Sequence, residues 1–365
     1  MTVRLHWFLP TSGDDRSVVG VTARDSLQSR GTLRPPTLDY LAQVARAAES
    51  AGFEAVLTPT GSDCEDAWLT TAALIPQTTR LKFLVAFRPG VIAPPHAAQM
   101  AATYQRLSGG RLLLNIVTGS DADEQRAYGD FLDHDARYAR TDEFLGLLHT
   151  AWSGQAYDFE GAHYRVAGGR LRRPPAERPP VFFGGSSAAA LPVAARHADT
   201  YLTWGEPPEA VRRKIEQVRE LAAAEGRRLS YGIRLHVISR DTAEEAWQET
   251  ERILGTLDPA AIAAAHERFR TSGSTGQRAM AALSGGRTDG LEIHPNLWAG
   301  FGLVRPGAGT ALVGSHEQVA ERIEEYAALG IEHFVLSGQP HLEEAIRFGE
   351  CVRPLLSSPE VPAAA

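Results

Sequence analysis

Lysine is nearly missing from this chain: of 37 basic residues only Lys82 and Lys214 are lysines, and the rest are arginine. Against them stand 44 acidic residues, a formal charge of −7, which argues against a surface built for nucleic acid or another polyanion. Cysteine is as scarce. Cys64 and Cys351, far apart in sequence, exclude a disulfide framework and a cysteine metal cluster. His236 and His341 lack HExxH or similar spacing, so no metal site is expected. No apolar run is long enough to span a bilayer, and MTVRLHWFLP lacks the apolar core of a signal peptide, so a cytoplasmic location is expected. No GxGxxG follows the first strand, which weighs against an open dinucleotide-binding sheet.

What is present is a rhythm. Short apolar strands are predicted over 4–9, 54–58, 81–87, 112–117, 181–183, 199–204, 231–240 and 333–337, with helices between them. The first helix starts at a Thr37 cap and runs to Ser50, where Gly52 follows; others are expected over 65–75, 95–107, 138–152, 188–197, 211–225, 243–254, 318–329 and 342–353. Eight strands in that order predict an α/β fold, a (β/α)8 TIM barrel, as one domain over 1–356. Three stretches interrupt the rhythm, at about 11–36, 155–180 and 258–309. The second contains a surface hairpin by its aromatic alternation. The third is Gly-, Ser- and Thr-rich without a strand pattern and reads as a lid or insertion. The tail 357–365 is expected to be disordered.

Within 231–240, YGIRLHVISR, alternation puts Ile233, Leu235 and Val237 on one face and Arg234, His236 and Ile238 on the other. A sheet covered on both faces is normally apolar there, so a guanidinium needs an anion opposite it. That anion is either an internal carboxylate or a bound ligand at the barrel mouth. Working residues of such barrels come from the C-terminal strand ends. Those ends offer Trp7 and Phe8, Cys64, Arg88, Asn115 and Thr118, Gly185, Ser186 and Ser187, Trp204, Arg234 and His236, and the run from Ser337 to His341. FGGSS suits a phosphate through close backbone approach, helix-start amides and serine hydroxyls, and suits an ordinary capped turn equally well. Cys64 reads as a pocket-wall thiol rather than a nucleophile, having no Cys–His pattern. Arg305 among glycines reads as a lid arginine over an anion or as a solvated loop charge.

Taken together, WFLPTSGD, TPTGSDCEDAW, NIVTGSD, FFGGSS, YLTWGEPPE, GIRLHVI, NLWAGFGLVRPGAGTALVG and LSGQPHLEEA resemble the alkanesulfonate monooxygenases of the bacterial-luciferase-like superfamily, from about Val3 to Pro354. The resemblance implies a TIM barrel that uses reduced FMN, delivered by a separate NAD(P)H-dependent FMN reductase, and dioxygen to break the C–S bond of an organosulfonate, giving sulfite and an aldehyde. It implies Arg234, His236 and the mobile-lid Arg305 as catalytic residues, and Trp204, Gln339, His341 and Cys64 as the substrate pocket. It implies Asn115, Thr118, Tyr138, Gly185, Ser186 and Ser187 around FMN, with Tyr138 and the two serines towards the phosphate, and a homodimer or homotetramer. The physics agrees: a sulfonate is a permanent anion and calls for fixed cationic donors rather than a titratable base.

One departure stands out. The family pattern LSGYPHLEEA has tyrosine where this chain has Gln339, which leaves open methanesulfonate, longer alkanesulfonates, a sulfosugar such as sulfoquinovose, or a dialkyl sulfone as substrate. The rival chemistry on the same scaffold is hydride transfer with a deazaflavin, and the rival class is a non-catalytic flavin or anion carrier.

Overall fold

The computed structural model describes residues 3–16, 34–119 and 121–356. Its strands are β1 (Arg4–Phe8), β2 (Ala55–Thr58), β3 (Lys82–Phe87), β4 (Leu112–Ile116), β5 (Tyr157–Glu160), β6 (Arg165–Gly169), β7 (Val181–Gly184), β8 (Thr200–Trp204), β9 (Ser230–Arg240), β10 (Glu292–His294), β11 (Leu297–Trp298), β12 (Ala311–Ser315) and β13 (His333–Ser337). Eight of them, β1, β2, β3, β4, β7, β8, β9 and β13, pair in parallel in that order, and β13 closes on β1. The architecture is the (β/α)8 TIM barrel.

Strand alternation sorts the side chains. Outward-facing Val56, Phe83, Val85, Leu112, Leu114, Phe183, Ile233, Leu235 and Phe334 merge with the helix faces into the main core. Inward-facing Phe8, Ala55, Leu57, Leu84, Leu113, Phe182, Leu202 and Val335 fill the barrel. Each Leu or Phe so buried is worth about 1.5–3 kcal/mol, enough to fix which residues point inward. Helix starts follow their caps: Thr37 accepts from the Tyr40 amide at the start of Leu38–Ser50, and Asp66 does the same for Leu69 at the start of Ala67–Leu74.

The expected hairpin is β5–β6, largely exposed. The helix expected from 138 begins at His134, because Asp133 caps it by accepting from the Ala136 amide. A short helix, Ala122–Ala127, was not legible at all.

The stretch 258–309 is better ordered than its composition suggests. It holds helices Pro259–Arg270 and Thr275–Ser284, capped by Asp258 and Ser274, and the β10–β11 pair. Ala265, Phe269 and Ala281 pack between the two helices. Strand β12 runs parallel to the far half of β9, from Ala311 beside His236 to Ser315 beside Arg240. Thus β9 leaves the barrel at about His236, and Ile238 packs with Trp298 and Phe301 in a satellite core. Most of the 11–36 stretch and the tail lie outside the described residues. Among the described residues no helix is long and apolar enough to cross a membrane.

Candidate active site

Phe8 ends β1 facing into the barrel, and the site is arranged around its ring. The Arg234 guanidinium carbon lies 4.8 Å from the ring centroid and that of Arg305 lies 5.5 Å away. The His341 ring sits 5.5 Å off, tilted by 34°. Two cations on one aromatic ring gain about 0.5–2 kcal/mol each, far less than their mutual repulsion and desolvation cost without an anion.

Arg234 is in register with Trp204 on β8 and Val335 on β13, at the level where the barrel opens. Its Nη1 donates to the Leu235 carbonyl at 2.5 Å and the Val335 carbonyl at 3.4 Å, and its Nη2 donates to Ser337 Oγ at 2.8 Å. All three acceptors are neutral. Among the described residues no carboxylate forms an ion pair with Arg234, so the internal-carboxylate alternative finds no partner there. Burial first, and the Arg305 charge second, pull its pKa well below the usual arginine range. A bound anion reverses both effects.

His236 completes a directed chain. Its Nε2 lies 3.1 Å from the Ala308 carbonyl, which only accepts, so Nε2 carries the hydrogen. Nδ1 therefore accepts from Ser337 Oγ, at 2.8 Å, and Ser337 accepts from Arg234. Burial, then the charges of Arg234 and Arg305, hold this imidazole well below its ordinary pKa of 6.5, so it is neutral. Its ring packs on Phe301 at 4.3 Å.

Ala308 belongs to the same turn as Arg305, so His236 ties that turn to the strand. Burial lowers Arg305 to a pKa of about 10, while the nearby Cys64 and Asp14 pull it the other way. Arg305 stays charged at neutral pH. Burial raises the Cys64 thiol above its usual pKa, with the Arg305 charge only partly offsetting it, so it is a neutral wall group. Gln277, on the Thr275–Ser284 helix, accepts from the Gly307 amide at 2.8 Å and fastens the turn from outside.

On the other flank, His341 is buried against Asp14. Its Nδ1 is 2.8 Å from Asp14 Oδ1 and its own amide donates to Oδ2 at 2.7 Å. Tyr40 donates to Oδ2 at 2.5 Å, and the Trp7 indole donates to the His341 carbonyl at 3.0 Å. Gln339 is buried with both amide atoms lacking a hydrogen-bond partner, as is Nε2 of His341. Buried polar atoms without partners cost about 1–3 kcal/mol each, so a run of them around one opening is the mark of a site that expects a polar ligand.

A second polar group lies beyond β7. The buried Tyr138 phenol, raised above its usual pKa by that burial, stands beside the Thr118 and Ser187 hydroxyls. It reaches the backbone only because residue 185 is glycine: a Cβ on Gly185 would lie 2.9 Å from the phenol oxygen. Ser187 Oγ also accepts from the Ala190 amide at 3.2 Å, at the first residue of the Ala190–His197 helix. Asn115 points inward from β4 beside Ala86 and Phe182. Gly276 spans the two groups, since a Cβ there would meet the Trp204 ring at 3.1 Å and Ser186 Oγ at 3.5 Å.

The fold therefore gathers Arg234, His236, Arg305, Cys64 and His341 about Phe8, and Thr118, Tyr138, Gly185 and Ser187 in the second group. Trp204 and Ser186 meet under the insertion helix. Sequence reading missed Asp14, the roles of Phe8 and Ser337, and the Ala308 carbonyl. Asp14 was missed because an acid beside Asp15 in a polar, Gly-containing stretch looks solvated. Ser337 could have been found as the inward partner of His236 by strand register.

Comparison with known proteins follows the same lines. The luciferase-like monooxygenase family profile matches residues 3–333. Among solved structures, a riboflavin lyase with modified FMN and riboflavin superposes with a TM-score of 0.81 at 22% identity, covering 97% of this chain and 91% of that one. An EDTA monooxygenase from Chelativorans sp. BNC1 gives 0.73 at 20% identity over 97% and 93% of the two chains. A long-chain alkane monooxygenase gives 0.75 at 18% identity over 98% and 93%. At these identities the three structures attest the shared fold.

Proposed function

The chain belongs to the luciferase-like monooxygenase family, and from that premise we propose a two-component, FMN-dependent monooxygenase that splits the C–S bond of an organosulfonate. The observation that carries the reading is the pair of desolvated guanidiniums on Phe8, with no carboxylate paired to Arg234 among the described residues. A sulfonate is anionic at every relevant pH and offers three oxygens to a forked donor. Arg234, Arg305 and His236 are its proposed binding groups. His236, neutral, donates no net charge and sets Ser337, which in turn aims Arg234. Trp204, Gln339, His341 and Cys64 form the proposed walls of the substrate pocket.

The second group fits a flavin phosphate. Thr118, Tyr138, Ser186 and Ser187 supply hydroxyls, Gly185 allows close backbone approach, and Asn115 is an inward amide for the ring system. Reduced FMN, delivered by a separate NAD(P)H-dependent reductase, would supply two of the four electrons that dioxygen takes up. The balance is one sulfonate, one dioxygen and one reduced flavin giving an aldehyde, sulfite, oxidised flavin, water and one proton. The carbon that bore sulfur is the one that loses a hydrogen as a proton. The turn carrying Arg305 and Ala308, fastened by Gln277, shields this chemistry from water.

Purified protein supplied with an FMN reductase, NAD(P)H and a panel of sulfonates is expected to release sulfite only when the reductase is present. Absence of sulfite from every member of the panel would refute the reading. Tight retention of a deazaflavin in place of reduced FMN would move the chain to hydride transfer.

A further inference from the structure

Of the groups gathered round Phe8, one ring nitrogen remains uncommitted. The Arg234 and Arg305 guanidiniums are donors with no acceptor to offer, and the Gln339 carboxamide does not titrate. His236 spends Nδ1 on Ser337 and Nε2 on Ala308. His341 differs: its Nδ1 faces Asp14 at 2.8 Å, while its buried Nε2 has no hydrogen-bond partner. Asp14 is itself fully buried and also accepts from the His341 amide at 2.7 Å and the Tyr40 hydroxyl at 2.5 Å. Burial alone would raise its pKa, but the contacts with His341 and Tyr40 outweigh that and hold it below the usual carboxylate range. In the neutral imidazole, an ionised carboxylate opposite Nδ1 requires the hydrogen on Nδ1, which leaves the lone pair on Nε2. Phe8 from β1 packs on this imidazole and Asp14 faces its Nδ1, a charge on the ring is felt by His236, Arg305 lies on the same Phe8 ring, and Trp7 holds the His341 backbone carbonyl. Behind them Arg34 grips Glu343 at 2.6 and 2.9 Å and donates to Tyr40 at 3.3 Å.

We propose that Asp14 and His341 are the proton-transfer pair of this site: Nε2 of His341 accepts the proton lost from the sulfur-bearing carbon, and Asp14 is the positioning residue that sets the tautomer. The carboxylate then offsets the imidazolium charge, and the proton leaves to solvent when the site opens. The role rests on the reaction proposed above, which liberates one proton per turnover; the tautomer does not.

The test turns on Asp14→Asn, which keeps the shape and reverses one hydrogen bond. The asparagine oxygen goes on accepting from the His341 amide and Tyr40, so the loop stays anchored, but its NH2 must donate to Nδ1. The imidazole then carries its hydrogen on Nε2 and can no longer accept there. Nitrogen-resolved NMR of histidine-labelled protein is expected to show His341 as the Nδ1–H tautomer in the wild type and as the Nε2–H tautomer in Asp14→Asn. Sulfite release by the variant is expected to fall by about 10²–10⁴-fold with sulfonate affinity little changed. Tyr40→Phe should keep both tautomer and turnover. A wild-type His341 protonated on Nε2 overturns the proposal without recourse to any variant, as does an Asp14→Asn enzyme of wild-type rate. Equal losses in Asp14→Asn and Tyr40→Phe, with the tautomer unmoved, would reduce Asp14 to an anchor and also overturn it. A wild type that shows the Nδ1–H tautomer yet releases no sulfite upholds the pairing and refutes the substrate reading instead.

Discussion

At the N-terminal end of the barrel Glu54 lies between Arg4 at 2.9 Å and Lys82 at 2.8 Å, Arg178 grips Asp199 at 2.6 Å, and His6 meets His333 at 2.9 Å. At the C-terminal end Arg234 and Arg305 share the Phe8 ring, and among the described residues Arg234 has only neutral acceptors. The same inward alternation serves both ends. One end spends its charged side chains on each other; the other, among the described residues, leaves Arg234 without a carboxylate and leaves the Gln339 amide and Nε2 of His341 without hydrogen-bond partners. The lesson is that buried charge reads as function only when its partner is missing, and as architecture when the partner is built in.

The largest effect expected to separate the two ends comes from Arg234→Met. Loss of the central cation should cut kcat/KM for sulfite release by about 10³-fold, while the melting temperature stays level or rises, because the desolvation cost goes with the charge. A melting temperature well below wild type would place Arg234 in the scaffold instead. Glu54→Ala should do the reverse. It leaves Arg4 and Lys82 without their shared carboxylate, lowers unfolding free energy by about 1–2 kcal/mol, and leaves kcat unchanged; denaturant melts beside turnover would check it.

A change of pH sharpens the contrast next. Burial lowers His6 and His149 to pKa values of about 4 and His333 to about 3, from 6.5. The unfolded chain therefore takes up protons before the folded one as pH falls, so stability is present above 6.5 and is lost between 6.5 and 4. Urea midpoints should decline through that window; a flat profile would mean these histidines are protonated in the fold. The smallest effect belongs to Gln339→Tyr. It exchanges an amide with two unpartnered atoms for a phenol, so the ranking of sulfonates should shift by about tenfold or less at unchanged stability. An unchanged ranking would show that Gln339 does not reach the substrate.

Much of this contrast could be read in the chain before folding. The strand alternation in YGIRLHVISR already aimed Arg234 and His236 inward, and eight apolar strands between helices already implied the barrel. Stretch 258–309 was opaque because its helices are alanine-rich and capped amid glycines and serines, a composition shared with loops. β12 was hidden because ALVGS follows a glycine-rich turn and pairs outside the barrel. The Asp14–His341 contact spans most of the chain, and local pattern carries no information on a pairing closed only when β13 meets β1.

The most direct test of the two-guanidinium claim is an anaerobic calorimetric titration of an organosulfonate into protein saturated with reduced FMN, wild type beside Arg234→Met. Saturable binding by the wild type that weakens at least tenfold in the variant is the predicted result; equal affinity in the two proteins would contradict the account.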